Sequence, residues 1–454
     1  MTKHRTSFLE YSPLVAAVDL VAVHLCSLLA IDLTASHARD MNLKLYAHLL
    51  PLLSVTAVVC FSVCGLYRTW SRRPAVNLVS SLLMAECLYI TAWMSLNGWE
   101  PRWTISRIVI ADSAAIQFLA LSMLRILIRR RVRRKENLEK GLIVANNLES
   151  GNAVRQRLSC AAPTWLSISE CLTADQFQKL SDDEITWGTV LITEGAKDMT
   201  SIIQRASQLR KSVLIIPGIF ELWIVGAHPT EVDDVLMLRL SPPYLRPGQR
   251  SIKRLLDMAE SLCLLIVTAP LMAVTAIMIR LSSPGAALFR QTRVGADGKE
   301  YTLYKFRTMI VDAEQYTGPV IAMSADPRIT GIGRYLRATR IDELPQLMNV
   351  LLGNMSLVGP RPERPHFVRI FRDQLPGYEF RLAVKPGITG LAQVNGRYST
   401  TPELKLRFDL MYIYNYSLVM DIQILFKTIL TVLQPSHAEG FKEAVASPCR
   451  CGDD

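Results

Sequence analysis

Ser261-Leu262-Cys263-Leu264-Leu265-Ile266-Val267-Thr268-Ala269-Pro270-Leu271-Met272-Ala273-Val274-Thr275-Ala276-Ile277-Met278-Ile279 is the stretch on which the topology turns. Its nineteen mostly apolar residues are enough for a helix to cross a bilayer. Pro270, near its centre, removes a helix hydrogen bond and crowds the preceding turn. Basic residues flank both ends, Lys253 and Arg254 before it and Arg280, Arg290 and Arg293 after it. Because Lys and Arg are enriched on the cytoplasmic side, both flanks read as cytoplasmic. The expectation is a re-entrant helix over 257–281 that enters one leaflet, bends at Pro270 and returns. Lys253, Arg254 and Pro270 are its membrane re-entry residues.

Four further stretches, at about 13–34, 45–67, 75–96 and 106–128, are apolar over the length of a span. Too little polar sequence separates them to cover a buried helical core. The first is long and is followed by more spans, so it does not read as a cleaved signal peptide. Lys3 and Arg5 precede the first span, and Arg68, Arg72 and Arg73 follow the second. Arg129-Arg130-Arg131-Val132-Arg133-Arg134-Lys135 follows the fourth. Residues 1–128 are therefore read as four transmembrane helices that start and finish in the cytoplasm, making the chain multi-pass.

The 454 residues suffice for two or three domains, and half of them are hydrophobic. The formal net charge is +11, with basic residues clustered beside apolar segments. Such clusters suit the anionic headgroups of a lipid bilayer and phosphorylated substrates. No helix-turn-helix, finger or aromatic RNA platform is evident, so nucleic acid is not an expected partner. Nine cysteines form no zinc pattern and seven histidines form no HExxH, leaving free thiols in a reducing compartment.

Residues 129–245 read as a cytoplasmic α/β, Rossmann-like module. Gly141-Leu142-Ile143-Val144-Ala145, Val190-Leu191-Ile192 and Val213-Leu214-Ile215-Ile216 are strand-like, with helical patterns between them. The first strand runs into Asn146-Asn147-Leu148-Glu149-Ser150-Gly151, which lacks the GxGxxG phosphate loop. The module therefore reads as structural or regulatory, and it offers a surface for a homodimer.

Residues 246–440 form the expected catalytic domain and 441–454 a polar tail. Its chemistry is concentrated in Lys305-Phe306-Arg307-Thr308-Met309, Asp312-Ala313-Glu314, Arg337, Arg340-Ile341-Asp342-Glu343-Leu344-Pro345, Gly359-Pro360-Arg361-Pro362-Glu363 and Lys385-Pro386-Gly387 through Arg397. Pro345 suits the first turn of a helix whose apolar face includes Leu347, Val350 and Leu351. Asp342 then stands at the positive end of that helix, where ionisation is favoured. An ionised carboxylate can attack phosphorus, bind Mg²⁺, or simply cap the helix. Lys305, Arg307, Arg337 and Arg361 add the positive charge that phosphoryl transfer needs.

Over about 253–433 these ordered motifs resemble the bacterial sugar transferase family, the monotopic phosphoglycosyl transferases. With four spans and an α/β module ahead, the chain is similar to the long-form members, the undecaprenyl-phosphate glucose or galactose phosphotransferases. The resemblance implies an enzyme (EC 2.7.8 class) of the bacterial inner membrane with its catalytic domain on the cytoplasmic face. It would transfer a hexose-1-phosphate from a UDP-sugar to undecaprenyl phosphate and release UMP, initiating exopolysaccharide, capsule or O-antigen synthesis. It also implies Asp342 as nucleophile and Glu343 as its partner, both serving Mg²⁺. Lys305, Arg307, Arg337 and Arg361 would contact substrate phosphates. Ala286 and Asn354 depart from the family pattern, where proline and aspartate are usual. A non-catalytic membrane scaffold and a glycosyltransferase that moves sugar without phosphate are the alternatives; UMP release separates them. The expected architecture is thus a membrane α-helical N-terminal four-span bundle, a central α/β Rossmann-like domain and a C-terminal α-rich catalytic domain with a re-entrant membrane helix.

Overall fold

The computed structural model describes residues 12–34, 39–67, 75–99, 105–135, 139–161, 166–181, 185–225, 227–232, 235–240, 244–310, 326–396 and 401–432. Lys3, Arg5, Arg68, Arg72, Arg73, Asp312, Glu314, Arg397 and the tail 441–454 lie outside the described residues. The chain divides into two compact units, Met1–Gly218 and Ile219–Asp454.

The first unit opens with four helices, α1 (Ser12–Thr34), α2 (Arg39–Val63), α3 (Ala75–Trp99) and α4 (Arg107–Lys135). Each is long and apolar enough to cross a membrane. Their outward residues are apolar, as at Val21, Leu25, Ile108 and Leu119. Two buried polar pairs lie inside: Arg125 pairs with Asp19, both almost fully buried, and Gln117 Nε2 donates to Ser27 Oγ at 2.8 Å. Pairing of this kind is what an apolar surround demands.

A parallel sheet follows, as the strand-like runs predicted. Strands β1 (Glu139–Ala145), β2 (Leu166–Thr173), β3 (Thr189–Ile192) and β4 (Ser212–Ile215) lie in the order β2-β1-β3-β4. Helices α5 (Leu148–Ala161), α6 (Ala174–Lys179) and α7 (Met199–Gln208) connect them. Leu142, Val144, Val190 and Ile192 are fully buried in its core with Phe177 and Trp187. Gly151 serves packing here. A Cβ on it would lie 2.1 Å from Cys171 Sγ, so α5 can approach the sheet only because the side chain is missing.

The second unit begins earlier than the expected boundary at 245. Helix α8 (Ile219–Val225) sends Leu222 into the same core as Tyr378, and Trp223 meets Phe380 edge-on at 5.1 Å. The two compact units divide at 218/219, within residues 129–245, and the proline- and glycine-rich run near 242–248 lies inside the second unit. A hairpin of β5 (His228–Val232) and β6 (Val235–Arg239) leads to α9 (Pro247–Ser282), whose 36 residues are unbroken helix through Pro270. Next come the antiparallel strands β7 (Leu288–Val294) and β8 (Glu300–Phe306), then α10 (Gly331–Ala338) and a single 3₁₀ turn over Ile341–Glu343. After it lie α11 (Gln346–Leu352), β9 (Ser356–Val358), α12 (Pro365–Gln374), a 3₁₀ stretch Tyr378–Ala383, β10 (Gly387–Thr389), α13 (Leu391–Asn395), α14 (Pro402–Tyr414) and α15 (Leu418–Val432).

Helix α9 is held to this unit along one stripe. Lys253, Asp257, Ser261, Thr275 and Ile279 are its buried residues, with Leu265, Met272 and Ala276 packed on core side chains. The spacing of about four residues is one helix face. Lys253 and Arg254 do not extend outward to headgroups as the sequence suggested. Lys253 Nζ lies 2.7 Å from Asp421 Oδ2, and Arg254 donates to the carbonyls of Val350 (2.6 Å) and Leu351 (2.9 Å) at the end of α11. The opposite face is apolar and open, with Leu255, Ile266 and Val267 each more than 65% exposed.

Candidate active site

Four short elements converge on the Asp342–Glu343 pair. The 3₁₀ turn that carries it starts from Arg340, whose φ of 57° is left-handed. That conformation costs energy in a non-glycine residue and is the kind of strain found at functional sites. Glu343 N donates to Arg340 O at 3.1 Å and Leu344 N to Ile341 O at 3.2 Å, closing the turn. Pro345 then sits at the entry of α11, as expected, and Leu347 and Val350 face the core.

The dipole of α11 does not set the state of Asp342. Burial, followed by the adjacent Glu343 charge, pushes its carboxyl up to about 6, although Lys305 and Arg337 oppose this. A helix of seven residues has little dipole to set against burial. Asp342 is 9% exposed, and its buried Oδ1 has no hydrogen-bond partner. Burial also pushes Glu343 upward, but Arg361 and Arg340 outweigh it and hold this carboxyl below its ordinary value. Arg361 Nη2 donates to Glu343 Oε1 at 2.7 Å, and Arg340 Nη1 is 3.6 Å from the same oxygen.

The cations reach the pair from different elements. Lys305 comes from β8. Burial, then the neighbouring Arg293, pushes its ammonium down to about 8, against the pull of Asp342. Arg337, in the last turn of α10, donates from Nε to the buried Thr308 Oγ1 at 2.9 Å. This seating requires Gly333, because a Cβ there would lie 2.1 Å from Thr308 O. Arg307 is directed elsewhere: it donates to Pro284 O (2.7 Å) and Ser283 O (2.9 Å), bracing the turn after α9. Arg307 follows the last residue of β8, so strand alternation does not carry it to the face of Lys305.

Several supports have no motif to announce them. Asn349 is fully buried on α11; its Oδ1 accepts from Tyr304 N (3.0 Å) and its Nδ2 donates to Thr302 O (2.7 Å). One side chain thereby ties the helix behind Asp342 to the strand of Lys305. A buried Asn beside an apolar run was the available signal. Asn354 and Ala286, the two departures from the family pattern, are both exposed. Among the described residues no three His, Cys, Asp or Glu side chains are grouped to hold a metal. At the described site, the carboxylates of Asp342 and Glu343 are the groups that could hold a metal ion.

A buried carboxylate with an unpartnered oxygen, surrounded by the half-buried Lys305 and Arg337 and the exposed Arg340 and Arg361 and carried next to a long apolar helix, is an arrangement suited to binding and transferring a phosphoryl group. The profile of the bacterial sugar transferase family matches residues 248–435. Over 201 residues the chain is 42% identical to exopolysaccharide production protein PSS of Rhizobium leguminosarum bv. phaseoli, covering 42% of this chain and 98% of that protein. It is 44% identical over 219 residues to the UDP-N-acetylgalactosamine-undecaprenyl-phosphate N-acetylgalactosaminephosphotransferase of Aeromonas hydrophila. That match covers 45% of this chain and about half, 52%, of the relative. With the UDP-galactose-lipid carrier transferase of Erwinia amylovora it shares 27% identity over 447 residues, 89% of this chain and 91% of that one. The chain belongs to the bacterial sugar transferase family.

Proposed function

We propose that the protein transfers a hexose-1-phosphate from a UDP-sugar to undecaprenyl phosphate, giving undecaprenyl-diphospho-sugar and UMP, as the initiating step of a surface polysaccharide. The observation that carries this reading is the unpartnered, buried Oδ1 of Asp342 beside a Glu343 already neutralised by Arg361. Asp342 attacks the β-phosphorus, the bond from that phosphorus to the oxygen of the α-phosphate breaks, and UMP leaves. An oxygen of undecaprenyl phosphate then attacks the same phosphorus and releases Asp342. Lys305, Arg337 and Arg361 balance the charge on the phosphoryl oxygens.

Mg²⁺ fits these residues. Asp342 has a free oxygen, and both cation contacts to Glu343 go to Oε1. Two carboxylates with phosphate oxygens and water make an ordinary magnesium environment. When bound, the ion neutralises charge on the diphosphate.

The membrane arrangement proposed is four spans, a re-entrant α9 and a cytoplasmic catalytic domain at the inner membrane. Helix α9 does not break at Pro270 as the sequence led us to expect, so the re-entry proposed is a bend within continuous helix. Its support is that both ends of α9 are fastened to one folded unit. From Asp257, which accepts from Leu357 N at 3.1 Å, to Ile279, packed with Phe306, the helix is fastened to one folded unit. That distance is about 33 Å at 1.5 Å per residue, close to the hydrocarbon thickness. A crossing helix would have to leave that unit between the two anchors.

The deciding experiment is Asp342→Asn. It is expected to abolish both UMP release and the phosphosugar adduct seen by intact-mass spectrometry after a UDP-sugar pulse. An adduct that persists in this variant assigns the nucleophile to another residue.

A further inference from the structure

Arg361 stands between two prolines that have no N–H to donate, so those neighbours can be held only through their carbonyls. Four consecutive carbonyls are engaged. Pro360 O accepts from Gly387 N at 2.9 Å and Arg361 O from Arg381 Nη2 at 2.8 Å. Pro362 O accepts from Arg293 Nη1 at 3.0 Å and Glu363 O from Val294 N at 3.0 Å. Two of the four donors are guanidiniums from separate parts of the chain.

Each guanidinium is itself fixed. Arg381 lies 2.9 Å from Asp409 Oδ2, with both side chains at most 7% exposed, and its Nη1 donates to Tyr378 Oη at 2.6 Å. Arg293 Nη2 donates to Gln291 Oε1 at 2.8 Å. Burying such charges costs several kcal/mol of desolvation in general. An apolar core under this loop would avoid that cost, but it could not grip carbonyls. The Arg361 side chain, in contrast, is 44% exposed at the site. Its tip is tied to Glu343, and its root is tied by Arg381 and Arg293.

We infer that Arg381 and Arg293 are positioning residues, which fix the backbone of Arg361 so that its guanidinium meets the transferring phosphate without a search. The inference rests on the phosphate role proposed above for Arg361. A group preset for the transition state loses no orientation on reaction, and displacement by about 1 Å can cost on the order of 100-fold in rate. Arg381→Lys keeps the charge beside Asp409 and removes the planar fork that reaches Asp409, Tyr378 and the carbonyl together.

The test is a double-mutant cycle on the full chain in nanodiscs, following UMP release with UDP-glucose, UDP-galactose and UDP-N-acetylgalactosamine. Arg361→Ala is expected to lower kcat/KM by roughly 100-fold or more. Arg381→Lys alone should lower it by about 10-fold, with kcat carrying most of the loss, and should add nothing in the Arg361→Ala background. Full additivity, or an unaffected Arg381→Lys, overturns the positioning role. Should Arg381→Lys lower Tm substantially, Tyr378→Phe and Arg293→Lys are run through the same cycle and judged by the same two outcomes. Wild-type turnover by Arg361→Ala, or no UMP from any of the three sugars, instead overturns the functional reading on which the inference rests.

Discussion

Burial and the charge of Glu343 raise the Asp342 carboxyl to about 6, whereas Arg361 and Arg340 hold Glu343 down. Two adjacent acids in sequence thus become one carboxyl that titrates near neutrality and one that stays ionised. In the metal-free protein, the difference in proton uptake between wild type and Asp342→Asn should show a group with a midpoint near 6. Below that pH the carboxyl is protonated and cannot attack; above it the ionised form dominates. Glu343→Gln removes the second-largest push, so the midpoint should move down. A midpoint at an ordinary Asp value in wild type contradicts the buried site. Sequence made Asp342, Glu343, Lys305, Arg337 and Arg361 visible, because charge-bearing residues crowd into short motifs. It misdirected Arg307, whose orientation depends on where β8 ends, marked Asn349 only as a polar residue within an apolar run, and carried no signal for Arg381. Their roles depend on contacts made across 20 and 45 or more positions of chain.

At the scale of single elements, α9 and α11 depend on each other through Arg254. Its guanidinium donates to Leu351 O, at the end of α11, and adds a second donor to Val350 O, which already accepts from Gly353 N at 3.0 Å. Arg254→Ala should therefore cost about 1.5–3 kcal/mol and lower the melting temperature of the purified protein by several degrees. An unchanged melting temperature would mean that water serves those carbonyls equally well. The flanking charges were legible as membrane signals because basic residues beside apolar runs usually have that role. Their inward direction was not, since hydropathy does not register a buried Lys253–Asp421 pair across 168 positions. Topology can be tested on the same helix. Gly248 has open space around it and Pro284 is exposed, so a cysteine at either tolerates labelling. Both Gly248→Cys and Pro284→Cys should react with a membrane-impermeant maleimide from the cytoplasmic face only. Labelling from opposite faces would make α9 a span.

For the whole molecule, the division at 218/219 makes a prediction that the linker-like run near 242–248 does not. Leu222 is 5% exposed within the core that holds Tyr378, Val358 and Met355, and Ile219 packs against the same cluster. Gly377, in a left-handed turn with φ of 76°, leaves room for Ile219 beside Phe380. A fragment starting at residue 246 loses all of these contacts, while one starting at 219 keeps them. Burying a leucine contributes roughly 1.5–3 kcal/mol, and truncating it in a packed core costs about 2–5 kcal/mol. Fragment 219–454 should therefore fold in nanodiscs and release UMP within a few-fold of the full chain, whereas 246–454 should melt at a clearly lower temperature. Leu222→Ala in the intact protein should reproduce a large part of that loss, which separates lost packing from an effect of cutting the chain. The Rhizobium relative, almost all of whose length is matched by 201 residues, indicates that family members exist on the scale of this unit alone. Equal melting temperatures for the two fragments would detach α8 from the core and return the boundary to the proline-rich run.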